Sequence, residues 1–411
     1  MNGPGMTTAL GRRRLLSGAA GGVLTAGLCL PRFAAAADGV TFGSITPNTG
    51  TYGFAGKLVT NGSQLAIEMA GGSILGRPIR YISRDDEGRS ATGVRRLSDA
   101  ISDDGLSVFN GNYASDIGLA ESAIARRQKV LQYAAGGSED FTGARCSRYT
   151  FQWSANPYTA MKTVMDYVAQ THPDARRWYT ITADYIFGQA LLKYARVVGE
   201  GKGYSFIGNA AHPLGERQYT QYLTQAVAAR PDVICLLNAG SDAVTCLRQL
   251  AGFGAKDTLV VAPWSIEVDQ LPEIPDAMRA GLILGENYVS TLDTPANREF
   301  VAAYRRKYGT APGYSAAYGY DSFRTVLLAM ERAGTTGIAS VITTLEGMQY
   351  DSVLGPTSID RATHQTVRPY FVIRGRADSA AGAAGDYAEL VATGSDPQPH
   401  ALNACRDIGA L

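Results

Sequence analysis

The chain is poor in reactive and metal-ligating side chains. Its four histidines, His172, His212, His364 and His400, are scattered, and two of them precede proline. No CxxC pair and no Cys/His grouping occurs, so a metal site is not expected. G-x-S-x-G, Walker and G-x-G-x-x-G words are missing as well. No cofactor is therefore expected, and the chain is not read as an enzyme, although a triad assembled from distant residues leaves no such word. Charge is also sparse: 18% of the 411 residues are charged and the net charge is +1. A nucleic-acid or membrane-surface partner is not expected from that balance. Tryptophan is scarce, with 3 against 12 Phe and 22 Tyr. Tyrosine joins an apolar face to a polar tip and suits a wet cleft, although most tyrosines are ordinary half-buried residues.

Hydrophobic residues make up 45% of the chain, which suits well-cored lobes, and the length fits two domains. The N-terminus reads as an address. Arg12-Arg13-Arg14 leads into a Gly- and Ala-diluted apolar run ending at Leu30, and Ala34-Ala35-Ala36-Ala37 precedes Asp38. That is the order of an export signal, too short and glycine-rich to span a membrane. Arg12-Arg13 followed by x-Leu-Leu looks like a twin-arginine signal, with the Sec route as the alternative. Cleavage is placed after Ala37, so residues 1–37 are set apart from the fold. Bulky Leu28 before Cys29 argues against lipoprotein processing. Export makes disulfides possible for the four remaining cysteines, Cys146, Cys235, Cys246 and Cys405.

A βα rhythm organises the chain from residue 40 onward. Residues 40–45 form an apolar run, residues 46–53 a turn-rich loop, residues 54–70 a helix weakened by Gly56 and Gly62, and residues 77–83 a second strand. This is a parallel βαβ unit, and in such sheets ligands meet the loops at the strand carboxyl ends. The alternation continues to residue 133, restarts near Pro157, and runs to residue 262. Residues 149–153, 281–288 and 366–373 read as crossings between two lobes. The expected fold is α/β: two doubly wound parallel-sheet lobes joined by a multi-segment hinge. Lobe 1 is placed at 38–154 plus 289–366, lobe 2 at 155–288 plus 367–376, and a loose Gly/Ala/Asp-rich tail at 377–411.

Several words then add a resemblance. Thr49-Gly50-Thr51-Tyr52-Gly53, Gln64-Leu65-Ala66-Ile67-Glu68, the run from Gly71 to Ile79, and Asp85-Asp86-Glu87 stand in an order and spacing that resembles periplasmic receptors of branched-chain amino acid ABC importers. The likeness runs to about Arg376. It implies the type I periplasmic-binding fold and no catalysis. Its implied partners are a small organic ligand and an inner-membrane permease, its location the periplasm, and its state a monomer. Some branches of that family carry a cysteine before the hinge strand and another at the extreme C-terminus. A Cys146–Cys405 bridge pinning the tail is favoured on that likeness, with Cys235 and Cys246 read as small buried hydrophobes.

The strand-end loops supply the candidate ligand contacts. In Gly111-Asn112-Tyr113-Ala114-Ser115, the serine can cap a helix. The resemblance implies instead that Ser115 holds the ligand head group, and Tyr113 looks like the amide- and urea-binding branch. Ala135 and Gly137 offer backbone groups, and Gly137 stands where relatives often have threonine. Phe187 matches an aromatic wall, with Tyr185 and Tyr52 as further ring candidates. Asp242 either caps a helix or meets a cationic ligand. Trp264 stands where receptors of aliphatic amino acids commonly carry a glutamate for the α-ammonium. Either Asp242, Glu267 or Asp269 takes over that duty, or the ligand has no ammonium. Asp85-Asp86-Glu87 reads as a solvated loop capping the next helix, Tyr318-Gly319-Tyr320-Asp321 as a packing word, and residues 360–365 as hinge support. The expected function is a solute receptor delivering an amino acid, or a related amide or aromatic acid, to an ABC importer by hinge closure. A ligand sensor of the same fold with a signalling partner is the alternative.

Overall fold

A computed structural model of the protein describes Met1 and residues 39–255, 257–378 and 387–411. Apart from Met1, the export-signal reading of residues 1–37 lies outside the described residues. The first sheet has six strands: β1 Val40–Thr46, β2 Ser73–Ile74, β3 Arg77–Asp85, β4 Leu106–Gly111, β5 Leu131–Ala134 and β6 Thr150–Gln152, in the order β2-β3-β1-β4-β5-β6. β1 is buried along its whole length and pairs parallel with both β3 and β4. Its alternating side chains feed two cores. Phe42 packs with Val59, Val108 and Phe323, while Ile45 packs with Leu97, Phe109 and Ile124. Helix α1, Gly53–Met69, covers the first face. Helices α2, Ser90–Asp104, and α3, Ser115–Gln128, cover the second.

The second βα series begins with α4, Pro157–Thr171, where Asn156 accepts the Tyr158 N–H and Pro157 takes the first turn. Strands β7 Arg177–Ala183, β8 Ser205–His212, β9 Val233–Leu237, β10 Leu259–Ala262 and β11 Ile283–Glu286 alternate with α5 Ile186–Glu200, α6 Thr220–Ala228 and α7 Ser241–Leu250. A short helix, α8 Asp276–Arg279, precedes β11. The chain then returns to the first lobe through α9 Pro295–Tyr308, α10 Tyr314–Ala333 and α11 Ile338–Leu345. A small antiparallel sheet of β12 Gln349–Ser352, β13 Gly355–Ile359 and β14 Thr366–Val367 follows. α10 lies directly on α1. A Cβ on Gly62 would fall 2.0 Å from the Ala316 carbonyl oxygen, and one on Gly319 would fall 2.2 Å from that of Val59. The glycine that weakens α1 locally therefore permits this close packing.

The last strands differ from the sequence expectation. Residues 366–373 do not make one strand. Pro369 has no N–H for a ladder, and the run splits into β14 and β15, Tyr370–Gly375. β15 joins the second sheet antiparallel to β11. Part of the tail is no loose wrap: β16, Ala388–Gly394, pairs antiparallel with β15 and completes the seven-stranded order β16-β15-β11-β10-β9-β7-β8. Beyond it, Cys405 is disulfide-bonded to Cys146, with Cα atoms 5.7 Å apart, and the Arg148 N–H donates to the Ile408 carbonyl at 2.7 Å. Cys235 and Cys246 are buried free thiols.

The chain passes between the two sheets three times, between Gln152 and Pro157, Glu286 and Pro295, and Val367 and Tyr370. One side chain ties all three passages. Arg368 is buried, its guanidinium carbon 4.2 Å from the Trp153 ring centroid. Its Nη1 donates to the Trp153 carbonyl at 3.1 Å, its Nη2 to the Asn287 carbonyl, and its Nε to the Pro369 carbonyl at 3.3 Å. Asn287 Oδ1 accepts the Ala155 N–H at 2.9 Å, and Gln365 Nε2 donates to the Ser154 carbonyl at 2.9 Å.

The hinge and its covalent tie each set a stability outcome. Arg368→Lys keeps the charge but not the planar fork of donors. Urea unfolding should show a loss of about 2–4 kcal/mol, because buried carbonyls lose their partners. A loss under about 0.5 kcal/mol would show that those carbonyls do not depend on the guanidinium. Cys405→Ser opens a bridge spanning 259 residues. It should cost about 2–4 kcal/mol under oxidising conditions and nothing further in reductant.

Candidate functional site

The carboxyl ends of the parallel strands in both lobes face one another. In the first lobe, Tyr52 immediately precedes α1, Tyr113 follows β4, Ala135 and Gly137 follow β5, and Tyr314 opens α10. In the second, Tyr185 precedes α5, Phe187 lies in its first turn, Trp264 and Glu267 follow β10, and Glu286 ends β11. All of these line a single cavity of about 40 Å³, together with Phe54, Ala239, Gly240, Ser265, Ile266 and Gln270. That space holds about one water molecule. A larger guest requires the lobes to part or the rings to turn.

Ring contacts build the walls. In the first lobe, Tyr113 lies 5.3 Å from Tyr52, 6.1 Å from Phe54 and 5.8 Å from Tyr314, measured between centroids. In the second, Phe187 meets Trp264 edge-on at 5.5 Å and Tyr185 at 6.0 Å. The Tyr52 and Tyr185 hydroxyls share a hydrogen bond across the cleft. Gly137 presses the first-lobe loop onto the second-lobe rings: a Cβ there would lie 2.4 Å from Phe187 and 3.1 Å from Trp264. A threonine at this position does not fit this arrangement.

Polar groups close the seam. Glu267, at 4% exposure, reaches from the second lobe to the first. It accepts hydrogen bonds from the Tyr113 hydroxyl, from Ser315 Oγ at 2.7 Å and from the Ser315 N–H at 3.1 Å. Burial, then the nearby Asp269 charge, pushes its carboxyl up to about 8. Of the three acids weighed as substitutes for an ammonium-pairing glutamate, Glu267 alone lines the cavity. Asp269 packs against Gly313 and borders a different groove.

Two expected contacts do not reach the cavity surface. Ser115 is buried and accepts the Ser138 N–H at 3.1 Å, so its hydroxyl fixes the neighbouring loop. Asp242 is buried and accepts the Gly215 N–H at 2.8 Å. Burial raises its carboxyl to about 6. Asp86 also departs from the sequence reading. It is fully buried rather than solvated, and desolvation raises its carboxyl to about 7. Glu286 and Tyr314 went unnoticed in the sequence. Glu286 ends β11 within the run Gly281–Tyr288, where the strand-end rule could have found it. Tyr314, whose hydroxyl donates to the Ala135 carbonyl at 3.2 Å, carried no signal. Among the described residues, no group of three or more His, Cys, Asp or Glu is placed to hold a metal ion.

Two hinged α/β lobes with facing strand-end loops around one cavity define a bilobed binding protein of the type I periplasmic-binding class. The family described as periplasmic binding protein matches residues 39–382. The chain belongs to that family. It is similar to an amino acid ABC transporter substrate-binding protein from Pseudomonas fluorescens Pf-5, with 35% identity, a TM-score of 0.86, and coverage of 90% of this chain and 100% of that one. It is also similar to an ABC transporter solute binding protein from Rhodopseudomonas palustris BisB5, solved in complex with 3,4-dihydroxy benzoic acid, at 25% identity. There the TM-score is 0.79 and coverage is 90% of this chain and 99% of that one. A curated relative, Leu/Ile/Val-binding protein homolog 8 from Brucella suis, is 24% identical over 318 residues, covering 73% of this chain and 77% of its own length. Membership carries a general solute-binding role in an ABC-type transport system, without catalysis, and a periplasmic location.

The buried seam makes closure sensitive to pH. Glu267 keeps its proton in the closed form at pH values where a solvated carboxyl has lost it. Closure therefore binds a proton. Its contribution is fully present below the ordinary glutamate range and is lost as pH rises through about 8. X-ray scattering of the ligand-free protein should show an increasing radius of gyration from about pH 6 to 9, and Glu267→Gln should reduce that response, leaving the part due to Glu286 in the same cavity. An unchanged radius across this range would contradict the linkage.

Proposed function

We propose that the protein is an exported receptor that closes its lobes over an amino acid or a related amide and presents the closed form to an inner-membrane ABC permease. One observation carries the reading: the Tyr52 and Tyr185 hydroxyls share a hydrogen bond, and Glu267 accepts from Tyr113 and Ser315, across a cavity lined by strand-end loops of both lobes. Such contacts exist only when the lobes are together. A guest touching both walls favours the closed state by the difference of its affinities for the two forms. The proposed contact set is Tyr52, Tyr113, Ala135, Gly137, Tyr185, Phe187 and Trp264, extended by Glu267, Glu286 and Tyr314. Lobe 1, residues 38–154 plus 289–366, turns against lobe 2, residues 155–288 plus 367–376, as a monomer. Export by the twin-arginine route is proposed on Arg12-Arg13 followed by Leu15-Leu16.

An aromatic acid is disfavoured within this reading. Two carboxyl groups line the cavity, and no Lys, Arg or His is among the lining residues. A ligand carboxylate would lack a charged partner there. A thermal-shift screen of amino acids, amides and aromatic acids tests the proposal. At least one amino acid or amide should raise the melting temperature and shrink the radius of gyration, and Tyr185→Ala should weaken it about tenfold or more. Binding confined to aromatic acids, or binding without compaction, would overturn it.

A further inference from the structure

The end of the chain touches both lobes, and the receptor reading leaves that joint unused. β16 belongs to the second sheet, yet Cys405 beyond it is bonded to Cys146, just before β6 of the first. The segment between is anchored step by step. Near its start it holds the second lobe: Thr159 Oγ1 on α4 donates to the Asp396 carbonyl at 2.7 Å, and Lys162 Nζ lies 3.0 Å from Asp396 Oδ2. Next it meets the hinge. Gln398 Oε1 accepts from Asn156 Nδ2 at 3.0 Å, in the first passage between the sheets. Past the bridge it holds the first lobe, where the Ile408 carbonyl accepts the Arg148 N–H at 2.7 Å.

Gln398 also supports a contact between the lobes. Its Nε2 donates to the Tyr194 hydroxyl oxygen at 2.6 Å. That hydroxyl donates in turn to Glu139 Oε2, and Lys193 Nζ lies 2.7 Å from Glu139 Oε1. Lys193 and Tyr194 stand on α5 of the second lobe, while Glu139 opens a single-turn helix, Glu139–Phe141, after β5 of the first. None of the three lines the solute cavity. The Tyr194 side chain is buried, so its hydroxyl is costly to leave without partners. Chain length sets the reach of the segment. Seven steps separate Gln398 from Cys405, about 24 Å at full extension, and the turn His400–Leu402 takes up part of it. Wider parting of the anchors must break the Asp396 and Gln398 bonds.

We propose that residues 395–411 form a strap across the hinge, a fourth connection that favours the closed form and limits how far the lobes part. Glu139, Lys193 and Tyr194 are the contact it supports, and Gln398 is a positioning residue for Tyr194. The inference rests on hinge closure in the receptor reading and adds a restraint to it. A solute then meets a protein already biased toward closure, and its apparent affinity rises with the fraction in the competent form.

The test uses X-ray scattering of the full mature protein without solute at pH 7, fitted as a mixture of open and closed forms. Glu139→Ala and Cys405→Ser should each raise the ratio of open to closed about threefold or more, with a larger radius of gyration. Gln398→Ala leaves the bridge intact and should raise the ratio in the same direction. Combined with Glu139→Ala it should add little, because both act through Tyr194. Melting temperatures are measured first, and scattering is recorded well below them. Should Cys405→Ser fail to fold, Gln398→Ala and Glu139→Ala decide. A lower melting temperature with an unchanged radius in the folded variants would overturn the inference, since a merely structural tail behaves so. A smaller radius would overturn it as well, because the strap would then hold the lobes apart. Either result leaves the receptor reading standing, which depends on its own solute screen.

Discussion

The structure turns on a single buried cation. Arg368 sits where the three passages between the lobes come together, and its guanidinium reaches a main-chain carbonyl in each. Passages that leave regular structure free their backbone groups, and buried carbonyls need donors. A planar fork of N–H groups can serve several carbonyls that face one point. The charge is costly to bury, and desolvation holds the guanidinium down to about 10. Stacking on Trp153 and the ring of carbonyls offset that cost. The result is a hinge whose three passages are held together at the centre.

A fixed hinge places the lobe faces opposite each other, and the chemistry of the cleft depends on that placement. Rings from both halves meet through hydroxyl groups, and Glu267 bonds to the partner lobe while Glu286 finds no bond for one oxygen. Burial raises both carboxyl groups from their ordinary range. The site therefore holds latent negative charge in a water-poor space. Small residues are as necessary as the rings. Gly137 brings two loops into contact that a Cβ would separate. The disulfide between Cys146 and Cys405 adds a covalent route from the end of the chain back to the first lobe.

Local pattern carried much of this fold. The apolar run of β1, the helical spacing of α1 and the Asn156-Pro157 start of α4 are decided within a few residues, and each could be read directly. The strand-end rule then pointed to the loops that hold Tyr52, Tyr113, Gly137, Tyr185, Phe187 and Trp264, which share the cavity. It could not say which side chain in a loop turns toward the cavity. Ser115 and Asp242 accept backbone N–H groups from loops 23 and 27 residues away in the chain, partners that no local pattern reveals. β16 was missed because its pairing partner, β15, fixes it as a strand, and its own composition resembles linker.

The order of strands and helices, the two-lobed class and the loops facing the cleft were already determined by the sequence, because hydrophobic period and turn chemistry act over short stretches. Only the tertiary structure decided that Arg368 ties two distant segments to its own, that Asp86 is buried, and that Glu286 keeps an oxygen free. Burial and pairing depend on residues far apart in the chain, and no local pattern encodes the dielectric or the partners that a side chain meets after folding.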